Sequence, residues 1–230
     1  MTPDESGGMV VYDSGVARPD APSPELRIQN AQWSTSPSTI YAVDIDNDLY
    51  TYSVNSSGLT LQSTALLYAA EPGFGSIHFD PGTGYLYADG GQVIDPAAGT
   101  IIGNFNASGM TVPDSSLNRV FILGQLASQA NSANYTIQSF NETTFAPLQT
   151  LTLNSLVGVP SAFIRWGSDG LALVTYNSSA STSKGPAGML YIISDSSFVS
   201  ANAVKTGSGA ERVHSFPGRA RQARRTSPQE

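Results

Sequence analysis

The sequence predicts an all-β fold made of short strands joined by tight turns, and three observations support this prediction. First, the 230 residues include 22 Gly and 14 Pro, while only 13% are charged. Second, apolar residues occur in short alternating runs, and no segment longer than about ten residues carries a helical apolar stripe. Third, one turn-and-strand pattern recurs along the chain. The composition also excludes a coiled coil, a collagen-like chain and a highly charged disordered chain.

Four segments share the recurring pattern, in which a polar turn leads into an alternating strand. They are Ser34–Asp44, Asp80–Asp89, Asp114–Gly124 and Gly167–Thr175. The equivalent strand starts Ile40, Tyr85, Val120 and Leu171 lie 45, 35 and 51 residues apart. These spacings bracket the length of one four-stranded propeller blade. The sequence therefore predicts a β-propeller with about four four-stranded antiparallel blades.

The turns and the later strands of each repeat follow from local chemistry. In Asp80-Pro81-Gly82-Thr83-Gly84, proline fixes φ near −65° and glycine accepts positive φ, so the chain can reverse within a few residues. Third strands are predicted at Leu49–Val54, Gln92–Asp95, Tyr135–Phe140 and Met189–Ser194. Fourth, outer strands are predicted at Leu59–Leu67, Thr100–Phe105, Phe145–Leu153 and Ser197–Ser200.

The repeats also set the expected boundaries of the propeller. Residues 1–204 form it, with complete repeats at roughly 27–68, 73–106, 109–154 and 160–200. Gly8–Asp13 resembles a late strand, so residues 8–26 are predicted as a partial N-terminal blade. A seven-bladed ring at this repeat length needs on the order of 300 residues. We therefore expect an open fragment of a larger ring, with a closed four-bladed ring as the alternative.

One stretch carries a family resemblance. The run Phe163–Ala172 (FIRWGSDGLA) resembles the blade core of bacterial seven-bladed β-propellers of the YVTN and NHL-like kind. Gln32-Trp33 and the run Ile77–Gly99 are similar to other blades of the same group. The resemblance implies an exported bacterial repeat protein, located at the cell surface, in the periplasm or outside the cell. It also implies that the parent chain supplies the remaining blades.

Charge is unevenly distributed along the chain. Residues 1–204 contain five basic side chains against sixteen acidic ones, and such a surface repels nucleic acid and anionic lipid. Residues 205–230 contain six basic and two acidic side chains without apolar periodicity, which predicts a disordered basic tail. This tail has two interpretations. It is either an arm that binds nucleic acid or an anionic surface, or a foreign end appended to the propeller. We expect no membrane span, and Met1–Gly8 lacks the pattern of a signal peptide.

Catalytic motifs are missing from the sequence. There is no Cys, and of the two His only His78 lies within the repeats, so a Ser-His-Asp triad would have to use it. We interpret His78 as a polar side chain at the central channel. The sequence has no nucleophile elbow and no glycine-rich phosphate loop. It therefore predicts no catalytic residue and favours a protein that is not an enzyme.

One acidic run remains as a metal candidate. Asp44, Asp46 and Asp48 alternate in the segment DIDND, and carboxylate oxygens at such spacing suit a hard cation such as Ca²⁺. The run lacks the glycine and the distal glutamate of an EF-hand loop. Its alternative interpretation is an ordinary polar hairpin turn. The sequence thus predicts no cofactor, with Ca²⁺ at these three residues as the candidate ion.

The two tryptophans also have two interpretations. Trp33 and Trp166 take matching places in two repeats, which favours packing between blades over stacking on a sugar ring.

The function that follows is a noncatalytic scaffold that binds a protein or glycan through its loops, since propellers display loops on a rigid framework. The alternative is a propeller-type lactonase or hydrolase with a metal in the central channel.

Overall fold

The computed structural model describes residues 8–21, 27–67, 73–125, 134–154, 156–176, 188–200 and 212–217. It confirms the all-β prediction, with four four-stranded antiparallel sheets that correspond to four propeller blades. The chain divides into two compact units, the first holding the three sheets formed between residues 28 and 153 and the second holding the sheet formed between residues 159 and 217. Within the described residues no helix is long and apolar enough to cross a membrane.

The N-terminal residues form a small hairpin. Strand β1 (Tyr12–Asp13) pairs with β2 (Val16–Ala17) across Ser14 and Gly15, which both adopt positive φ as a tight hairpin turn requires. This two-stranded sheet belongs to none of the four larger sheets, so the described part of 8–26 differs from the partial blade that we predicted. The two short strands pair with each other, so this segment forms a hairpin of its own. Residues 22–26 lie outside the described part.

Sheets 1, 2 and 3 are simple meanders in which consecutive strands are neighbours. Sheet 1 consists of β3 (Ile28–Trp33), β4 (Thr39–Asp44), β5 (Asp48–Asn55) and β6 (Gly58–Leu66). Sheet 2 consists of β7 (Ile77–Phe79), β8 (Leu86–Ala88), β9 (Gln92–Asp95) and β10 (Thr100–Asn104). Sheet 3 consists of β11 (Met110–Asp114), β12 (Arg119–Gln125), β13 (Tyr135–Asn141) and β14 (Pro147–Leu153). The first strands β3, β7 and β11 lie beside one another in that order.

The core of the first unit lies between its sheets. One cluster joins Val43 and Leu49 of sheet 1 to Ile77, Leu86 and Ile94 of sheet 2. A second cluster joins sheets 2 and 3 and contains Tyr87, Val93, Phe105, Val120, Ile122 and Phe140. Because side chains alternate along a strand, sheet 2 supplies both clusters from its two faces. These apolar seams hold the turns at the ends of the strands in fixed positions.

Sheet 4 consists of β15 (Val159–Trp166), β16 (Gly170–Tyr176), β17 (Gly188–Ser194) and β18 (Arg212–Pro217). The predicted outer strand at Ser197–Ser200 is wrong, because Ser196–Val199 forms a short helix, α1. The Asp195 side chain caps α1 by accepting hydrogen bonds from the amides of Ser197 and Phe198.

The outer strand of sheet 4 comes instead from the predicted basic tail. Strand β18 pairs antiparallel with β17, from Met189 opposite Pro217 to Ser194 opposite Arg212. The prediction of a disordered segment over 205–230 is therefore wrong for these six residues. Backbone pairing with β17 does not need an alternating side-chain pattern. Residues 205–211 and 218–230 of the predicted tail lie outside the described part.

Candidate functional site

The Asp44 carboxylate builds the turn between β4 and β5. Its Oδ1 accepts hydrogen bonds from the amides of Asp46 and Asp48 at 3.0 and 2.9 Å, and its Oδ2 accepts one from the Tyr50 hydroxyl at 3.0 Å. Burial, the hydrogen bond to Asp44 and the nearby charge of Asp48 all raise the pKa of Tyr50. Asp44 thus has protein donors on both oxygens.

The other two acidic residues of this run point to different surroundings. The exposed Asp46 carboxylate lies 3.5 Å from the Arg27 guanidinium. Burial and the charges of Asp44 and Asp46 raise the pKa of Asp48. Within the described residues, no three acidic or histidine side chains are arranged to hold a metal ion. Calcium at Asp44, Asp46 and Asp48 stays an untested prediction.

His78 lies half-buried on β7 and contacts a carboxylate. Its Nε2 is 2.8 Å from Oδ1 of Asp89, and the same oxygen accepts a hydrogen bond from the Thr111 amide at 2.9 Å. The Thr111 hydroxyl donates to the carbonyls of Gly109 and Ala88, at 3.0 and 3.3 Å. The neighbouring hydroxyl is therefore directed at the backbone and not at the imidazole.

Asp80 connects two turns at the opposite end of these strands. Its Oδ1 accepts from the Gly82 amide at 2.6 Å, which closes its own turn. The same oxygen accepts from the Ser115 hydroxyl and Oδ2 from the Ser115 amide, both at 2.8 Å. Asp80 therefore joins the β7–β8 turn of sheet 2 to the start of the β11–β12 turn of sheet 3.

Four polar side chains of the repeats share this bridging role. Each accepts a hydrogen bond from a backbone amide in or next to the following sheet: Asn30 from Ile77, Asn47 from Phe74, Asp80 from Ser115 and Asp89 from Thr111. A carboxylate or amide oxygen that satisfies a buried N–H removes a desolvation cost of about 1–3 kcal/mol. The acidic and amide residues of the repeat pattern thus hold neighbouring sheets together.

Glu142 was missed by the sequence analysis. It lies in the β13–β14 turn, is only 5% exposed, and its Oε1 is buried without a hydrogen-bond partner in the described structure. Burial raises its pKa to about 7; the Tyr87 hydroxyl opposes this shift, and the charges of Asp80 and Asp114 add to it. Nothing in its local sequence, a polar turn, distinguishes it from an exposed glutamate.

Both tryptophans are exposed. Each is the last residue of a first strand, Trp33 of β3 and Trp166 of β15, and they are 52% and 55% exposed. The prediction that they pack between blades is therefore wrong. Trp166 pairs with Gly170, which has no side chain to cover the indole. Each unit thus presents an aromatic face beside a turn.

A cavity of about 360 Å³ lies between the outer part of sheet 1 and the β9–β10 turn. Hydroxyl groups of Thr51, Ser63 and Thr64 line it together with small apolar residues such as Ala65 and Pro96. None of the described residues that line it is titratable. The cavity can therefore accept hydrogen-bonding and apolar groups but supplies no acid or base.

Comparison with known proteins shows the fold and no more. No family model matches the chain, and no curated protein matches it. The hydrazine synthase of Kuenenia stuttgartiensis is similar in structure, with a TM-score of 0.52, 10% identity, and coverage of 83% of this chain and 54% of that one. The structure of U3-55K is similar with a TM-score of 0.55 and 10% identity, over 84% of this chain and 52% of that one.

These structural neighbours are propeller-like, and this chain spans about half the length of each. At such low identity they support the β-propeller architecture alone. The YVTN and NHL-like assignment and the bacterial origin stay predictions.

Proposed function

We propose that this chain is a noncatalytic β-propeller scaffold that binds a protein or a glycan beside its turns, with Trp33 and Trp166 as contact residues. The observation that carries the proposal is the exposure of both indole rings at the ends of first strands. A tryptophan offers a large rigid apolar face together with one N–H donor. Such residues dominate the binding energy of many interfaces and also stack on sugar rings.

The engagement of the other candidate groups supports a binding role over a catalytic one. Both Asp44 oxygens accept protein donors, and His78 contacts Asp89, which also accepts the Thr111 amide. The described residues that line the cavity beside sheet 1 include no titratable side chain. These contacts stabilise a rigid framework, and rigid frameworks lower the ordering cost of binding.

An exported or cell-surface location belongs to the same proposal. It is supported by the resemblance of Phe163–Ala172 to exported bacterial repeat proteins. Fractionation of the native host, with an antibody against this chain, tests it. Recovery of the protein only in the cytosol would contradict this part of the proposal.

The experiment on binding uses the full chain on a glycan array and against a panel of secreted proteins from the native host. For any ligand found, the variants Trp33→Ala and Trp166→Ala are compared with Tyr12→Ala. Tyr12 is a matched control because it is also an exposed aromatic residue and lies on the separate hairpin. We expect at least one tryptophan variant to weaken binding about 30-fold, the effect of losing a contact worth about 2 kcal/mol.

Two results would overturn the proposal. One is full binding by the double variant Trp33→Ala/Trp166→Ala. The other is stoichiometric Ca²⁺ or Zn²⁺ in the purified parent protein by elemental analysis together with hydrolysis of lactones that chelation abolishes.

A further inference from the structure

The seam between sheets 2 and 3 contains a buried acid, Glu142, which is 5% exposed and whose Oε1 has no hydrogen-bond partner among the described residues. Glu142 belongs to sheet 3 and its amide donates to the carbonyl of Asn118 in the β11–β12 turn at 3.2 Å. Its carboxyl group lies against Tyr87 of β8, which is fully buried in the apolar cluster between the two sheets. The acid therefore closes one end of an otherwise apolar seam.

The groups that face Glu142 come from three elements. They are the Tyr87 hydroxyl on β8, the Asp80 carboxylate on the β7–β8 turn and the Asp114 carboxylate at the end of β11. Two of the three are acidic and none is a cation. The Tyr87 hydroxyl donates to the Thr83 hydroxyl at 3.2 Å. A negative charge on Glu142 would be poorly compensated here.

We propose that Glu142 binds a proton in the folded protein, and that this proton stabilises the contact between sheets 2 and 3. We call this pH-sensitive contact between Glu142 and Asp80 the latch. The protonated carboxyl group donates a hydrogen bond toward Asp80, whereas the ionised group would place a second negative charge beside it. Asp80 in turn holds the amide and hydroxyl of Ser115, so the latch extends across both turns. Loss of the proton weakens this end of the seam.

The direction of the pH effect follows from linkage. A glutamate whose pKa is about 7 in the folded state, against a usual value of 4.5, binds its proton more tightly folded than unfolded. Its contribution to stability is complete below about pH 4.5 and is lost as the pH rises through 7. The seam should therefore loosen between pH 5 and pH 8.

The test compares the full-length chain with Glu142→Gln, which keeps the size of the side chain and a hydrogen-bond donor but cannot ionise. Asp169→Asn is the matched control because Asp169 is an exposed turn acid. Hydrogen exchange of the Ser115 amide is measured from pH 5 to pH 8, corrected for intrinsic exchange. We expect protection of Ser115 to fall about tenfold or more in the unsubstituted protein and in Asp169→Asn, and to stay constant in Glu142→Gln.

A second measurement does not depend on the variant folding. Carbon-13 NMR of labelled glutamate carboxyl groups in the unsubstituted protein gives the titration midpoint of Glu142 directly. A midpoint above about pH 6 supports the latch. A midpoint near 4.5, or parallel loss of Ser115 protection in all three proteins, would overturn it.

Discussion

Sheets 1 and 4 differ in what lies over one of their apolar faces. In sheet 1, the face formed by Ile40, Ala42, Tyr50 and Tyr52 is buried, and Met9 and Val11 of the N-terminal segment pack against it. In sheet 4, the face formed by Ile164, Trp166, Val174 and Leu190 is exposed, with Ile164 56% and Val174 40% accessible. Both faces use the same alternating strand pattern. What differs is the covering segment.

The attachment of the N-terminal segment shows how such a cover is held. The Asp20 carbonyl accepts from the Leu59 amide at 3.0 Å, and its amide donates to Ser57 at 2.8 Å. This approach requires Gly58, where any Cβ would lie 2.0 Å from the Asp20 carbonyl oxygen. The Arg18 guanidinium also donates to the Asn55 carbonyl. Backbone pairing at the strand edge, and not apolar contact alone, fixes the cover over sheet 1.

The largest expected effect separates the two faces of sheet 4 itself. Leu173 is fully buried and its neighbour Val174 faces the exposed side, so Leu173→Ala should lower the free energy of unfolding by about 3 kcal/mol. Val174→Ala should lower it by less than about 1 kcal/mol. In a Trp33→Phe background, Trp166 is the only tryptophan, and its fluorescence during urea unfolding reports on sheet 4. Equal losses for the two variants would show that the exposed face is covered in solution.

The next effect concerns the cover over sheet 1. Met9 and Val11 are partly buried against the sheet, whereas Val10 between them points outward. The double variant Met9→Ala/Val11→Ala should lower the free energy of unfolding by about 1–2 kcal/mol through lost apolar burial. The control Val10→Ala should stay within about 0.5 kcal/mol. Trp33 fluorescence in a Trp166→Phe background gives the measurement, and a null result for the double variant would mean that sheet 1 needs no cover.

The sequence was sufficient for features that depend on neighbouring residues. The strand predicted at Leu49–Val54 is β5, Asp48–Asn55, and the one predicted at Gln92–Asp95 is β9. Alternation and turn residues determine such strands locally. The features that it missed depend on distant parts of the chain.

Three misses illustrate this limit. Strand β18 exists because the edge of β17 is available for pairing, which the segment Arg212–Pro217 does not encode. Trp33 and Trp166 are both exposed, although Ile40 lies opposite the first and Gly170 opposite the second, so neither exposure follows from the paired residue. Glu142 is buried because sheet 2 brings Tyr87 and Asp80 to the β13–β14 turn. The outcomes for β18 and Glu142 are set by partners that are remote in sequence.

The smallest effect on stability is expected on the exposed face of sheet 4, where the readout is association. Ile164 and Leu190 are exposed, so Ile164→Thr/Leu190→Thr removes apolar area that water already contacts and should change the free energy of unfolding by less than about 1 kcal/mol. Contiguous exposed apolar patches promote self-association, so the same variant should lower the average mass in concentration-dependent light scattering. Ser161→Thr, an exposed change on the same strand, should leave the mass unchanged. If the unsubstituted chain is already a monomer at all concentrations, this face does not drive association, and the contrast with sheet 1 then concerns stability alone.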